Sequence, residues 1–234
     1  MLFRSPVHEC VQQIEDLLNL RQPFTPSTAR WSFRIAASDY VVFLVLGPLL
    51  KTLTELAPDI SVRFFALETS ARDKLAAGEV DFAVLPEEFE VDAPSLPLFE
   101  DSWVCAVWSG HPHRGERFTA DEFLALPHLS FRLAGLDPGS IAESFLAQSG
   151  YERRIVASTD SFATAPFLLR ETPLVSLVPR RLGERLRQAA DIRLIEPPFV
   201  APPLREKLIW SPRFTASAAH AWLRSRLAEV AAAI

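Results

Sequence analysis

At 234 residues the chain has room for one large domain or two small lobes. Hydrophobic residues make up 49%, and 17 Phe and 5 Trp supply bulk for a packed core, which excludes disordered, collagen-like and disulfide-stapled miniprotein classes. The formal charge of -5 has the wrong sign for a domain that coats itself with phosphate backbone.

The chain opens with Ser5-Pro6, a hydroxyl cap followed by proline where a helix loses no hydrogen bond. Val7, Val11, Ile14 and Leu18 then form one apolar stripe, so a helix is expected over 5–20, with a Pro-containing linker at 22–28. No secretory leader is expected, because no sustained apolar stretch precedes a small-residue cleavage site. The longest apolar run, 40–50, is far shorter than the ~20 residues needed to span a bilayer. Cys10 and Cys105 lie far apart without CxxC spacing and are expected to be reduced thiols, which suits a cytoplasmic protein.

From residue 33 the pattern becomes strand, helix, strand. A strand at 33–37 leads through Ser38-Asp39 into a helix over 40–56, with a kink expected at Gly47-Pro48. Ile60 to Phe64 alternates as a strand, 70–77 is a short helix capped by Gly78, and 80–85 is a buried strand. Such alternation implies parallel strands covered by helices. Strands follow at 96–99 and 103–108, and then Ser109-Gly110-His111-Pro112 resembles a crossing point. The alternation restarts with helices at 119–126, 140–148, 162–170 and 181–188 between strands at 128–131, 154–157, 174–178 and 192–195. A strand at 204–210 and a helix at 217–234 close the chain.

No GxSxG, HExxH, GxGxxG or GxxxxGK[ST] motif occurs, so no catalytic nucleophile, metal or cofactor is indicated. His111 and His113 read as a turn, having no carboxylate or thiol beside them to complete a metal site. The strand-to-helix junctions are the candidate binding positions, since ligands of open α/β sheets sit outside the carboxyl ends of strands. Ser38 at such a junction is either a ligand contact or a plain cap, and Asp39 favours the helix dipole yet would repel an anion. Thr69 occupies the equivalent place after the next strand. Ser130, Phe131 and Arg132 follow a later strand, where the guanidinium could pair with a carboxylate. Asp160 reads chiefly as a cap, Phe162 and Val178 as cleft walls, and Trp108 and Phe199 as ring-closing residues or as core.

The segments Phe33-Arg34-Ile35-Ala36-Ala37-Ser38-Asp39-Tyr40, Leu75 to Val84, Gly110-His111-Pro112, Leu126 to Phe131 and Leu177 to Leu182 together resemble LysR-type transcriptional regulators, nearest the branch of nodulation and aromatic-catabolism regulators. That resemblance implies an α/β fold of two Rossmann-like lobes joined by two crossover strands, of the periplasmic-binding-protein-like type II. Lobe I would be 31–108 plus 205–234, lobe II 109–204, and 1–30 the remnant of a linker helix and its linker. Hinges would lie near Trp108 and 199–204. The resemblance implies a non-enzymatic sensor whose effector, aromatic or anionic, is held by Ser38, Asp39, Tyr40, Thr69, Trp108, Ser130, Phe131, Arg132, Asp160, Phe162, Val178 and Phe199. It further implies a homodimer or homotetramer, with DNA contacted through a winged helix-turn-helix outside these residues. A solute-binding protein of the same two-lobed shape is the alternative reading, and an enzyme with a cleft between two domains is a third.

Overall fold

A computed structural model describes residues 24–132 and 140–234. The helix expected over 5–20 lies outside the described residues, as do Cys10 and the first part of the 22–28 linker. The described end of that linker turns back on itself, with the Ala29 N–H donating to the Thr25 carbonyl at 2.9 Å.

Among the described residues, ten strands form two five-stranded sheets. The first has the order β2-β1-β3-β10-β4, built from β1 (Trp31–Ala37), β2 (Ile60–Ala66), β3 (Phe82–Pro86), β4 (Ser95–Asp101) and β10 (Leu204–Trp210). The second has the order β7-β6-β8-β5-β9, built from β5 (Trp103–Trp108), β6 (Pro127–Phe131), β7 (Arg154–Thr159), β8 (Val175–Pro179) and β9 (Ile192–Ile195). In each sheet the strands joined through helices run parallel, β1 with β2 and β3, β6 with β7 and β8. The strands that carry the chain between sheets run antiparallel to their neighbours.

Two expectations need correction. Trp103–Trp108 pairs with β8 and β9, so the chain leaves the first sheet at Ser102 rather than near Trp108; the return falls in 196–203. Trp103 faces Pro179 at the carboxyl end of β8, which puts Trp108 at the opposite end of the sheet, where its indole N–H donates to Asp191 Oδ2 at 3.0 Å. Trp108 therefore stands away from the carboxyl ends of the parallel strands.

The helical segment α1 (39–56) is continuous, but its middle widens into a π-turn over Val42–Leu46, where the Gly47 N–H reaches back to the Val42 carbonyl. Pro48 brings no N–H, and the extra residue in the turn accommodates that loss where a simple kink was expected. Its inner face buries Tyr40, Val41, Leu44, Val45, Leu49 and Leu53 completely or nearly so. Its outer face leaves Phe43 40% and Leu50 42% exposed. The remaining helices are α2 (Ala71–Ala77), α3 (Ala120–Ala125), α4 (Ile141–Gln148), α5 (Arg180–Leu186) and α6 (Ala218–Ala232). α2 ends at Gly78 with φ +76, a left-handed conformation that glycine adopts without steric cost. Where a helix was expected at 162–170 there is a 3-10 turn over Ala165–Leu169, with Pro166 in its first turn. No helix among the described residues is long and apolar enough to cross a membrane.

Candidate functional site

The carboxyl ends of β1, β2, β6 and β7 converge on a cavity of about 590 Å³ between the two sheets. From the first sheet it is lined by Ala37, Ser38, Asp39 and Val42 at the β1–α1 junction and by Phe64 to Glu68 at the end of β2. The second sheet contributes Phe131 from the end of β6, and Asp160 and Ser161 from just beyond β7. Strand ends converge here because each parallel strand delivers its next residues to the same edge of its sheet.

Asp39 ties the two sides together. Its Oδ2 accepts the Ser161 hydroxyl at 2.6 Å and the Ala163 N–H at 2.9 Å, and its Oδ1 accepts the Phe162 N–H at 3.2 Å and the Tyr40 N–H at 2.8 Å. Ser161 also accepts the Thr164 N–H at 2.9 Å, so this serine starts the turn that Asp160 was expected to cap. Asp160 is exposed and makes no hydrogen bond or ion pair among the described residues. Ser38 has extended backbone (φ -65, ψ 155) and its Oγ accepts the Val41 N–H at 3.3 Å, so it caps α1 and lines the cavity at once.

Behind the cavity lies an aromatic wall. Phe131 and Phe162 stack with ring centroids 3.5 Å apart and planes 7° apart, and Phe162 also meets Tyr40 and Trp103 at about 6 Å. Tyr40 is fully buried and its hydroxyl donates to Asp101 Oδ2 at 2.7 Å. Burial, with the Asp101 charge added, pushes the Tyr40 hydroxyl far above its ordinary range, and burial raises the Asp101 carboxyl against its own hydrogen bonds. Tyr40 is thus a strut behind the cavity and does not line it. A smaller cavity of about 210 Å³ shares Leu67 and Glu68 with the first and extends past Thr69 to Arg72, Leu85 and Phe89.

Of the residues expected at the site, the structure brings Ser38, Asp39, Phe131 and Asp160 together around the large cavity and places Thr69 on the small one. Phe162 supports the wall from behind. Ser130 is buried, and its Oγ has no hydrogen-bond partner among the described residues. The Arg132 side chain is exposed, its N–H held by the Thr159 carbonyl at 2.8 Å, and it does not line the cavity. Val178 is fully buried opposite Val104 inside the second sheet, and Phe199 packs on Phe123, Phe145 and Tyr151. Both are core of the second unit, because large apolar side chains gain most by leaving water. Sequence reasoning missed Ser161, Glu68, Val42, Phe64 and Phe65. Ser161 sits between Asp160 and Phe162, both of which that reasoning named, and the hydroxyl beside the acid was the available signal.

Residues 27–232 match the model of the LysR substrate binding domain. The chain belongs to that family. It is 28% identical over 225 residues, 96% of its length and 72% of the relative's, to nodulation protein D 2 of Rhizobium tropici. It is also 28% identical to nodulation protein D 3 of Mesorhizobium japonicum, over 86% of this chain and 67% of that one. Among solved structures, a probable transcriptional regulator from Pseudomonas aeruginosa superposes with a TM-score of 0.86 at 28% identity, covering 95% of this chain and 74% of the other. The regulatory domain of MexT, a transcriptional activator of the same species, gives 0.74 at 27% identity, covering 87% and 99%. The two sheets are accordingly those of a LysR regulatory domain of the periplasmic-binding-protein-like type II fold, and the LysR family is one of transcriptional regulators, not of enzymes.

Proposed function

We propose that this LysR substrate-binding domain is a cytoplasmic sensor that holds a small effector in the cavity between its lobes and passes the resulting lobe arrangement to an oligomer. The observation that carries this reading is the cavity of about 590 Å³ at the strand ends, whose two sides are joined by the hydrogen bonds from Ser161, Phe162 and Ala163 to Asp39. A ligand seated there touches both lobes, so it favours whichever inter-lobe angle it contacts best. The lobes are taken as 31–108 plus 205–234 and 109–204, adjusted at the first boundary by the passage at Ser102. In an oligomer of full-length subunits that angle would govern how two DNA-reading modules are spaced.

The test is a thermal-melting screen of the purified chain against aromatic acids, phenols, amines, amino acids and small anions. A ligand at 100 times its dissociation constant stabilises by about 2.7 kcal/mol, a rise of roughly 5–10 °C for a chain of this size. Ser38→Ala should weaken that response, since Ser38 lines the cavity. A screen in which no compound of any class moves the melting point sinks the sensor reading.

The outer face of α1, with Phe43 and Leu50 both exposed, supports self-association. Burying exposed large apolar side chains is an ordinary driving force of a dimer. Leu50→Asp is expected to lower the molar mass measured by light scattering in solution; an unchanged oligomer would remove α1 from the interface.

A further inference from the structure

The charge of the cleft assigns a class of effector. Its described lining includes the carboxylates of Asp39, Glu68 and Asp160, and neither lysine nor arginine is among those lining residues. The donors that the second lobe turns toward the cleft, the Ser161 hydroxyl and the Phe162 and Ala163 N–H groups, already hold Asp39. An acidic effector therefore finds those donors occupied by an internal carboxylate and meets the unbonded Asp160 carboxylate, while the nearest cations are already engaged, Lys74 by Glu68 and the Arg63 guanidinium over Phe65.

The three acids differ in what they have left to offer. Asp39 accepts four hydrogen bonds and is the most fully used. Glu68 accepts Lys74 Nζ at 2.7 Å and the Ser70 hydroxyl at 3.0 Å, and those bonds hold its carboxyl below the usual range, so it stays ionised with its charge shared. Asp160 is a carboxylate on the cavity wall with no partner among the described residues. Phe64, Phe65 and Phe131 supply the apolar part of the lining, and a ring face attracts a cation, as the Arg63 guanidinium 4.9 Å from the Phe65 centroid illustrates. Low-dielectric walls around charges of one sign concentrate the opposite sign.

We propose that the effector of this chain is an organic cation, a protonated amine on an apolar or aromatic body, with the ammonium directed to Asp160 and the body against the phenylalanines. The proposal rests on the reading of this cleft as the effector site. It also gives the cleft a basis for discrimination, since unpaired like charge rejects a carboxylate of the same shape.

The test uses matched head groups on three bodies, phenyl, indolyl and n-alkyl, each as the amine, the neutral alcohol and the carboxylate. Dissociation constants are measured by calorimetry at pH 7 and low salt, for the parent chain and for Asp160→Asn. On at least one body the amine is expected to bind tenfold or more tighter than its carboxylate, to weaken as salt is raised, and to lose about tenfold in Asp160→Asn while the carboxylate does not weaken. Asp160 is exposed and unbonded, so its replacement should leave the melting temperature of the free chain unchanged. A carboxylate or alcohol that matches the amine on every body, an amine-to-carboxylate ratio untouched by Asp160→Asn, or no binding by any amine overturns the proposal. Binding by a carboxylate or alcohol leaves the sensor reading standing; silence from every charge class in the wider screen removes that reading too.

Discussion

Asp81→Ala is expected to destabilise the chain by about 3 kcal/mol, because it removes the buried carboxylate that pairs with both the guanidinium and the backbone N–H of Arg34. Asp81 is 1% exposed, between α2 and β3. Its Oδ2 accepts the backbone N–H of Arg34 at 2.7 Å and its Oδ1 faces Arg34 Nη2 at 2.9 Å. His220 Nε2 stands 3.9 Å from Oδ1, held there by Ser217 at its other nitrogen and stacked on Phe214 with centroids 4.1 Å apart. One carboxylate therefore binds β1 to the start of β3 and touches α6, three elements distant in sequence. The Arg34 side chain is 19% exposed, so water can reach part of what the substitution uncovers, which places the cost at the lower end of the range for such pairs.

At about 3 kcal/mol the melting temperature at pH 7 should fall by roughly 6–12 °C. Burial pushes the Asp81 carboxyl up, but the His220 and Arg34 donors reverse that and hold it below the usual carboxylate range. A depressed folded-state pKa gives stability that is present above the unfolded value and lost as pH falls through the folded one. The gap between parent and Asp81→Ala should thus be full at neutral pH and narrow below about pH 4. Asp81→Asn keeps an acceptor for the Arg34 N–H and should cost less. A drop of under 2 °C at pH 7 for Asp81→Ala would show that the pair contributes nothing net.

Why some of this was readable from sequence, and some not, follows from the range of the forces involved. Pro58, Gly78 and Gly150 punctuate the chain locally, so strands and helices between them fall close to where the periodicity places them. The strands at 96–99 and 103–108 were equally visible, but their sheet membership depends on partners far along the chain, Ile209 and Leu208 for one, Val178 and Ile195 for the other. No local pattern distinguishes them, and the crossing was accordingly placed too late. The same limit applies to the cleft. Ser38 and Asp160 announce themselves as strand-end residues. That Asp39 would cap a turn more than a hundred residues away, displacing Asp160 from the expected role, is a tertiary fact. Val178 was a candidate wall and Phe199 a candidate ring-closing residue because an apolar side chain looks the same in sequence whether it lines a cavity or fills a core.

Glu206→Gln should act in the opposite sense and stabilise the chain. Glu206 sits in β10, 4% exposed, between Pro86 of β3 and Phe99 of β4, where the pairing with β4 shifts register beside it. Its Oε2 has no hydrogen-bond partner among the described residues. Burial, with the negative charge of Glu88 added, raises its carboxyl from 4.5 to about 8. At neutral pH the folded chain keeps a proton that the unfolded chain releases, so this group's contribution falls as pH rises from 4.5 to 8 and is level on either side. At pH 7 that penalty is about 3–4 kcal/mol, from 2.5 pH units at roughly 1.4 kcal/mol each. An amide of the same shape carries no such penalty. Glu206→Gln is therefore expected to melt about 6–16 °C higher than the parent at pH 7 and no higher at pH 4. His128 works against the parent in acid, because burial lowers it to about 4 and a neutral buried imidazole loses stability as pH falls from 6.5. Both chains carry His128, so its contribution cancels in the comparison and the difference between their melting curves isolates Glu206. A constant offset across pH 4 to 8 would mean that the carboxyl is not titrating between the folded and unfolded states, and a lower melting temperature at pH 7 would mean that its charge is accommodated in the folded sheet.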